Sequence, residues 1–173
     1  MTLSTLFTDR LVLRASAPQD APILASALNN YAISKWLTTV PYPYSLADAQ
    51  WFIDANAAGR FCARLIWEGD KFVGVIGLDG ELGYWLSQDA WGQGYATEAA
   101  RAVVDDYFAN TAAERIYASY FVDNKASCNV LTKTGFVDLD AGLHFSKARG
   151  ETVPVRRMEL TQQRHRILSS GTQ

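Results

Sequence analysis

Between residues 82 and 86 side chains alternate at the period of a strand: Leu82, Tyr84 and Leu86 on one side, Gly83 and Trp85 on the other. From Ala96 the period changes. Ala96, Ala99, Ala100, Val103, Val104, Tyr107 and Phe108 recur three and four apart, while Glu98, Arg101, Asp105 and Asp106 take the opposite face. That spacing predicts an amphipathic helix. Trp91-Gly92-Gln93-Gly94-Tyr95 is the turn between the two.

The rest of the chain reads in the same way. Residues 8–14 alternate as a strand with one wet face, Leu11 and Leu13 against Arg10, Val12 and Arg14. Pro18 and Asp20 open a helix to about Asn30, with Ile23, Leu24, Ala27, Leu28 and Tyr31 as its stripe. Residues 35–44 form a connector in which Pro41 and Pro43 hold their predecessors extended. Ser45 and Asp48 resemble a capping box opening a second helix, which Gly59 closes. Strands are predicted over 61–68 and 71–78, and Asp79-Gly80 turns the latter into 82–86 as an antiparallel hairpin. A strand over 115–122, a helix over 125–134 ended by Gly135, and strands over 136–147 and 151–160 complete the pattern. The order β-α-α-β-β-β-α-β-α-β-β is an α+β arrangement with a mixed sheet. It predicts a single domain over residues 1–161, followed by a polar, frayed tail over 162–173.

Composition narrows the function. A chain of 173 residues, 49% hydrophobic and 20% charged, suits one globular domain. A net charge of −2 gives no basic field for nucleic acid. No apolar run reaches membrane-spanning length, and the first residues lack the pattern of a signal peptide. Cys62 and Cys128 are too few for a disulfide framework and are expected as reduced thiols in a cytoplasmic protein. They and His144 and His165 have no metal-ligand spacing, so no metal is expected.

The glycine turn is the first candidate for chemistry. Two glycines between strand and helix let backbone N–H groups converge at the positive end of the helix dipole, a seat for an anion such as phosphate. The same residues also suit a plain tight turn packing a helix on a sheet. A P-loop is excluded, because no Gly-Lys-Ser/Thr follows. A dinucleotide fingerprint is disfavoured: Thr97 stands where a third small residue belongs, Asp123 lies late for a ribose-binding acid, and the Asp79-Gly80 hairpin places an antiparallel neighbour beside the strand.

WLSQDAWGQGYATEAA followed by VDNKASCNVLTKTGF resembles the GNAT N-acetyltransferase superfamily, nearest its RimJ and RimL ribosomal-protein acetyltransferases. The resemblance runs along residues 8–161 and implies a mixed sheet of about seven strands with a splayed central pair, flanked by about four helices. It implies acetyl-CoA as acyl donor, its pyrophosphate held by the backbone of Gly92, Gln93, Gly94, Tyr95, Ala96 and Thr97. Gly94 and Ala96 match the family turn, while Trp91 occupies a position where the family carries Gln or Arg. The pantetheine arm would lie along backbone near Trp85, Leu86 and Ser87, and Asn124 matches a pantetheine-contacting asparagine. Asn124 equally suits a helix N-cap.

The reaction so implied is attack of a primary amine, from a protein N-terminus or a small molecule, on the thioester. The amine must be neutral; at pH 7 this costs about 4.6 kcal/mol for a lysine-like amine and about 1.4 for an α-amine. Glu81 matches the family's general base, and alternatively is an exposed hairpin glutamate. Leu131 replaces the tyrosine that many members use as acid. Ser127 matches the serine of the RimL-like branch near the thiol, and also suits a helix first turn. Cys128 has no nearby histidine to make it a nucleophile and is expected as a buried, inert thiol. Tyr31, Trp36, Tyr42 and Trp85, with Tyr44 and Trp51, are candidates for the acceptor pocket, each alternatively a core aromatic. A monomer or homodimer is expected. The competing reading is a catalytically silent acyl-CoA-binding or interaction module of the same fold.

Overall fold

The computed structural model describes residues 3–171. The chain begins with β1 (Leu6–Phe7) and β2 (Val12–Ala15), then one 3-10 turn at Pro18–Asp20, α1 (Ala21–Leu28), α2 (Tyr31–Ser34) and α3 (Leu46–Ala57). An antiparallel run follows: β3 (Ala63–Glu68), β4 (Lys71–Leu78) and β5 (Glu81–Leu86). The second half comprises α4 (Tyr95–Asn110), β6 (Arg115–Phe121), α5 (Lys125–Thr134), β7 (Val137–Ser146), β8 (Glu151–Thr161) and α6 (Gln162–Ser170).

One eight-stranded sheet runs β1-β2-β3-β4-β5-β6-β8-β7. Every neighbouring pair is antiparallel except β5 and β6. Eight strands stand where about seven were predicted, because β1 pairs with β2 only as Leu6↔Leu13 and Phe7↔Val12, a span too short to show a period. Six helices replace about four among the described residues. The helix predicted from Pro18 to Asn30 breaks where Asn30 accepts the Ala32 N–H at 3.0 Å and starts α2 afresh. Residues 162–170 form α6 rather than a frayed end. Thr161 caps it, Arg164 Nε donates to Gly135 O at 2.7 Å, and the His165 ring stacks on Phe108.

Each face of the sheet carries its own core. On one face Ala99, Ala100, Val103 and Val104 of α4 and Leu131 of α5 pack on Ile66, Ile76, Leu82 and Leu86. On the other, Leu24 and Leu28 of α1 and Ala49 and Ile53 of α3 pack on Leu65 and Val75. Among the described residues no helix is long and apolar enough to cross a membrane.

The break in the sheet lies at its centre. β5 and β6 pair only as Glu81↔Tyr117 and Leu82↔Ala118, though β5 continues to Leu86 and β6 to Phe121. Beyond Leu82 the two strands part. Side chains add two ties: Glu81, at the paired end, to Ser119 of β6 on one face, and Tyr84, past the pairing, to Ser127 of α5 on the other.

Candidate active site

At the glycine turn Gly92 has φ +74° and Gly94 φ +81°, in the left-handed region where a Cβ is strained. The first helical bond of α4 is Glu98 N–H to Gly94 O at 3.1 Å. Among the described residues the N–H groups of Gly92, Gln93, Gly94, Tyr95, Ala96 and Thr97 have no internal acceptor, and no side chain caps the helix. Six consecutive donors, running from the turn into the first residues of α4, are thus left without an internal partner, an arrangement that suits an anion.

A hydrogen-bonded network lies behind the turn, and local patterning did not reveal it. Glu98 accepts from Thr8 Oγ1 at 2.5 Å, from the Arg10 N–H at 3.0 Å and from Arg10 Nε at 2.8 Å. Burial pushes the Glu98 carboxyl up, but these bonds outweigh it and leave its pKa below the usual value. Arg10 Nη1 donates to Gln93 O at 3.1 Å, and its guanidinium lies over the Tyr95 ring at 4.5 Å. The Tyr95 hydroxyl donates to Glu68 at 2.5 Å. Gln93 Nε2 donates to Asp89 O at 2.8 Å, so Gln93 and Tyr95 both spend their side chains on the scaffold and not on their own amides.

Between the parted strands the edge of β5 is partly spoken for. The Ser87 N–H donates to Val73 O at 2.8 Å and the Ser87 carbonyl accepts from Ala90, so its N–H is already engaged. Alternation along the strand turns the backbone groups of Leu86 and Tyr84 toward the gap. Of these, Leu86 O already accepts from Trp91 Nε1 at 3.0 Å, which leaves the Leu86 N–H and the backbone groups of Tyr84. Trp91, at the departure from the family turn, thus braces the strand end.

At the far side of the gap Asn124 Oδ1 caps α5 by accepting from Ser127 N at 3.1 Å. Its amide nitrogen has no partner among the described residues. Ser127 Oγ and the Tyr84 hydroxyl lie 2.9 Å apart. Burial raises the Tyr84 phenol to about 12, so it is a hydrogen-bond donor throughout the neutral range. Tyr84 thus places a hydroxyl in the region where Leu131, buried in the core, supplies none. Cys128 is half-buried rather than buried. Hydrogen bonding with it raises Tyr120 to about 12.

The opposite face of the gap opens into a cavity of about 780 Å³ bordered by Glu81, Gly83 and Trp85 of β5. Ser119 Oγ donates to Glu81 Oε1 at 2.9 Å, while Oε2 has no partner among the described residues. The predicted walls need correction. Trp85 lines the cavity, but Tyr31, Trp36 and Tyr42 do not. Tyr31 and Tyr42 rest on each other outside it, with centroids 5.3 Å apart, and Trp36 packs under Arg149 and against Phe121, Val153 and Val155. Of the other candidates Tyr44 and Trp51 do line it, joined by Phe52 and Phe61 and by Leu37, Val40 and Pro41 of the connector. That connector is pinned to the β7–β8 turn: Lys147 N donates to Thr38 O, Ser146 Oγ to Leu37 O and Arg149 Nε to Lys35 O.

A family model described as an acetyltransferase (GNAT) domain matches residues 10–137. A Bacillus licheniformis protein described as uncharacterized N-acetyltransferase p20 is 26% identical over 168 residues, 88% of this chain and 93% of that one. The ribosomal-protein-serine acetyltransferase of Escherichia coli is 30% identical over 81 residues, 42% of this chain and 45% of its own length. The spermidine N-acetyltransferase of Vibrio cholerae, solved with CoA and spermine, superposes with a TM-score of 0.77 at 19% identity, over 91% of this chain and 99% of that one.

Proposed function

The chain belongs to the GNAT acetyltransferase family, similar to its ribosomal-protein acetyltransferases, and on that premise we propose that it moves an acetyl group from acetyl-CoA to a primary amine. The observation that carries this reading is the row of unpartnered amides at Gly92–Thr97, set at one end of a gap between parted strands. A thioester donor supplies an activated acyl carbon. The chain's own residues hold, align and manage protons.

In this reading the amides of Gly92 to Thr97 hold the pyrophosphate, and the Leu86 N–H and Asn124 side-chain amide hold the pantetheine arm. Glu81, fixed by Ser119, accepts the proton released as the amine nitrogen bonds to the acyl carbon, directly or through a water. An α-amine near pKa 8 asks less of that base than a lysine-like amine. As the carbon–sulfur bond breaks, Ser127 Oγ donates to the departing sulfur, with Tyr84 orienting it. The N-terminus of α5 adds its dipole there. The acceptor is a protein N-terminus or a small-molecule amine.

The test is thiol release from acetyl-CoA across a panel of amines, with calorimetry of acetyl-CoA binding alongside. Turnover on one class of amine is expected. Binding without turnover on any amine would instead identify a silent acyl-CoA-binding module. Replacing Glu81 by Gln should lower kcat about a hundredfold with acetyl-CoA affinity unchanged. An unaltered kcat would remove Glu81 from the reaction.

A further inference from the structure

Resting on that reading, we infer that the acceptor site takes a primary amine bearing a single positive charge on an aromatic body, and discriminates against polyamines. Three features of the cavity carry this: its floor, its walls and its charge.

Its floor is cut by three small residues in register across adjacent strands. Ala63 of β3 faces Gly77 of β4, which faces Gly83 of β5. A Cβ on Gly83 would meet nothing within 4 Å, so the strip between Glu81 and Trp85 is open. An amine reaching the parted strands from this side passes over Gly83, with the Glu81 carboxylate on one side and the Trp85 indole on the other.

Its walls are rings. Tyr44, Trp51, Phe52, Phe61 and Trp85 all line the space. Phe61 stacks on Phe52 with centroids 5.8 Å apart and meets the edge of Trp51 at 5.9 Å. Trp51 is nevertheless 58% exposed and Phe61 36%. Contiguous apolar rings left open to solvent around a concave space mark a surface that a ligand covers. Aromatic partners suit it best, because offset and edge-on ring contacts add to simple burial.

Its charge is set for one ammonium group. Asp48, Asp79 and Glu81 line the cavity, against Arg60 and Lys147, a formal balance of minus one. Asp48 is already engaged, accepting from the N–H and hydroxyl of Ser45 in the cap of α3. The side chains of Arg60 and Lys147 have no ion-pair partner among the described residues. Two unpaired cations in the wall repel a second or third ammonium, as a polyamine would bring.

Two sources share this chemistry, a free arylalkylamine and a peptide with an aromatic first residue. The experiment measures kcat/KM by thiol release for 2-phenylethylamine, a peptide beginning with Phe, a peptide beginning with Ser, and spermidine. At least one aromatic amine should exceed both the Ser peptide and spermidine about tenfold or more, and which one does so identifies the source. Trp51→Ala, a change on an exposed helix face, should raise KM for the preferred aromatic amine severalfold with kcat little changed. Arg60→Glu with Lys147→Glu should improve spermidine.

Quenching of tryptophan fluorescence in the CoA-loaded protein gives the same comparison without catalysis. Tighter binding of the aromatic amine with no turnover would uphold the acceptor class and overturn the transferase reading. Equal or better use or binding of spermidine or the Ser peptide would overturn the acceptor class and leave the transferase reading standing.

Discussion

At Gly94 a single side chain decides the site. Its φ of +81° disfavours any Cβ, and among the described residues, its own chain neighbours aside, the one atom within 4 Å of a Cβ there is Arg10 Nη2 at 3.6 Å. Valine there should therefore twist the first turn and scatter the converging amides without overfilling the core. Calorimetry should show loss of acetyl-CoA binding by the folded variant; normal affinity would count against the anion seat. Tyr84 is the other telling residue. Tyr84→Phe deletes the partner of Ser127 Oγ, and a hydrogen bond serving a developing charge is worth roughly 1.5–3 kcal/mol, so kcat should fall at least about tenfold. With a phenol raised to about 12, the lost activity should not vary between pH 7 and 10; an unchanged kcat would leave Tyr84 a structural tie only. Ser127 and Asn124 were legible because a sequence motif carries them. Tyr84, Ser119 and Arg10 were not, because their partners lie 43, 38 and 88 residues away, and periodicity reports only neighbours along one element. Trp36 and Tyr42 misled for the related reason that an aromatic in a connector does not say which wall it faces.

Among the elements, those that carry their own boundary chemistry read correctly from sequence. Ser45 and Asp48 form the reciprocal cap of α3, Gly135 ends α5 at φ +100°, and Asp79-Gly80 turns β4 into β5. Where a tertiary partner supplies the signal, the pattern failed. α6 buries no residue completely and shows no clear stripe, so its docking through Arg164 and His165 was invisible. The start of α4 belongs to this second kind, since its lone first-turn acid, Glu98, is anchored by Thr8 and Arg10 from the far end of the chain. The net depression of its pKa means that Glu98 favours the folded state above the ordinary value of 4.5, and that this contribution fades as pH falls through the lower folded value. Glu98→Gln should accordingly lower the melting temperature at pH 7. The gap to the parent should narrow as pH drops below 4.5. A gap independent of pH would mean that packing, not charge, ties β1 and β2 to α4.

For the molecule as a whole, the parting of β5 and β6 divides one sheet into two halves, β1–β5 and β6–β8. Two residue pairs, the Tyr84–Ser127 and Glu81–Ser119 contacts, and the pins between the connector and the β7–β8 turn join them, along with α4 and α5 packing in the shared core. At Gly74 β4 and β5 approach too closely for any other residue, since a methyl there would run into the Trp85 carbonyl and lie 2.8 Å from Leu86 Cα. A ligand seated at Gly92–Thr97 and lying along Leu86 and Asn124 would touch both halves and supply partners for donors that now have none. It would bind the folded chain and not the unfolded one, so acetyl-CoA at one hundred times its dissociation constant should add about 2.7 kcal/mol. For a chain of this size that is a rise in melting temperature of roughly 5–10 °C. The rise should vanish in Gly94→Val and persist in Glu81→Gln, because only the first disturbs the seat. Hydrogen exchange should slow at the first turn of α4 and at Leu86, and not in β7, which lies at the far edge of the sheet. Protection spread evenly over both halves, or none at Gly92–Thr97, would mean that the gap is not where the donor lies.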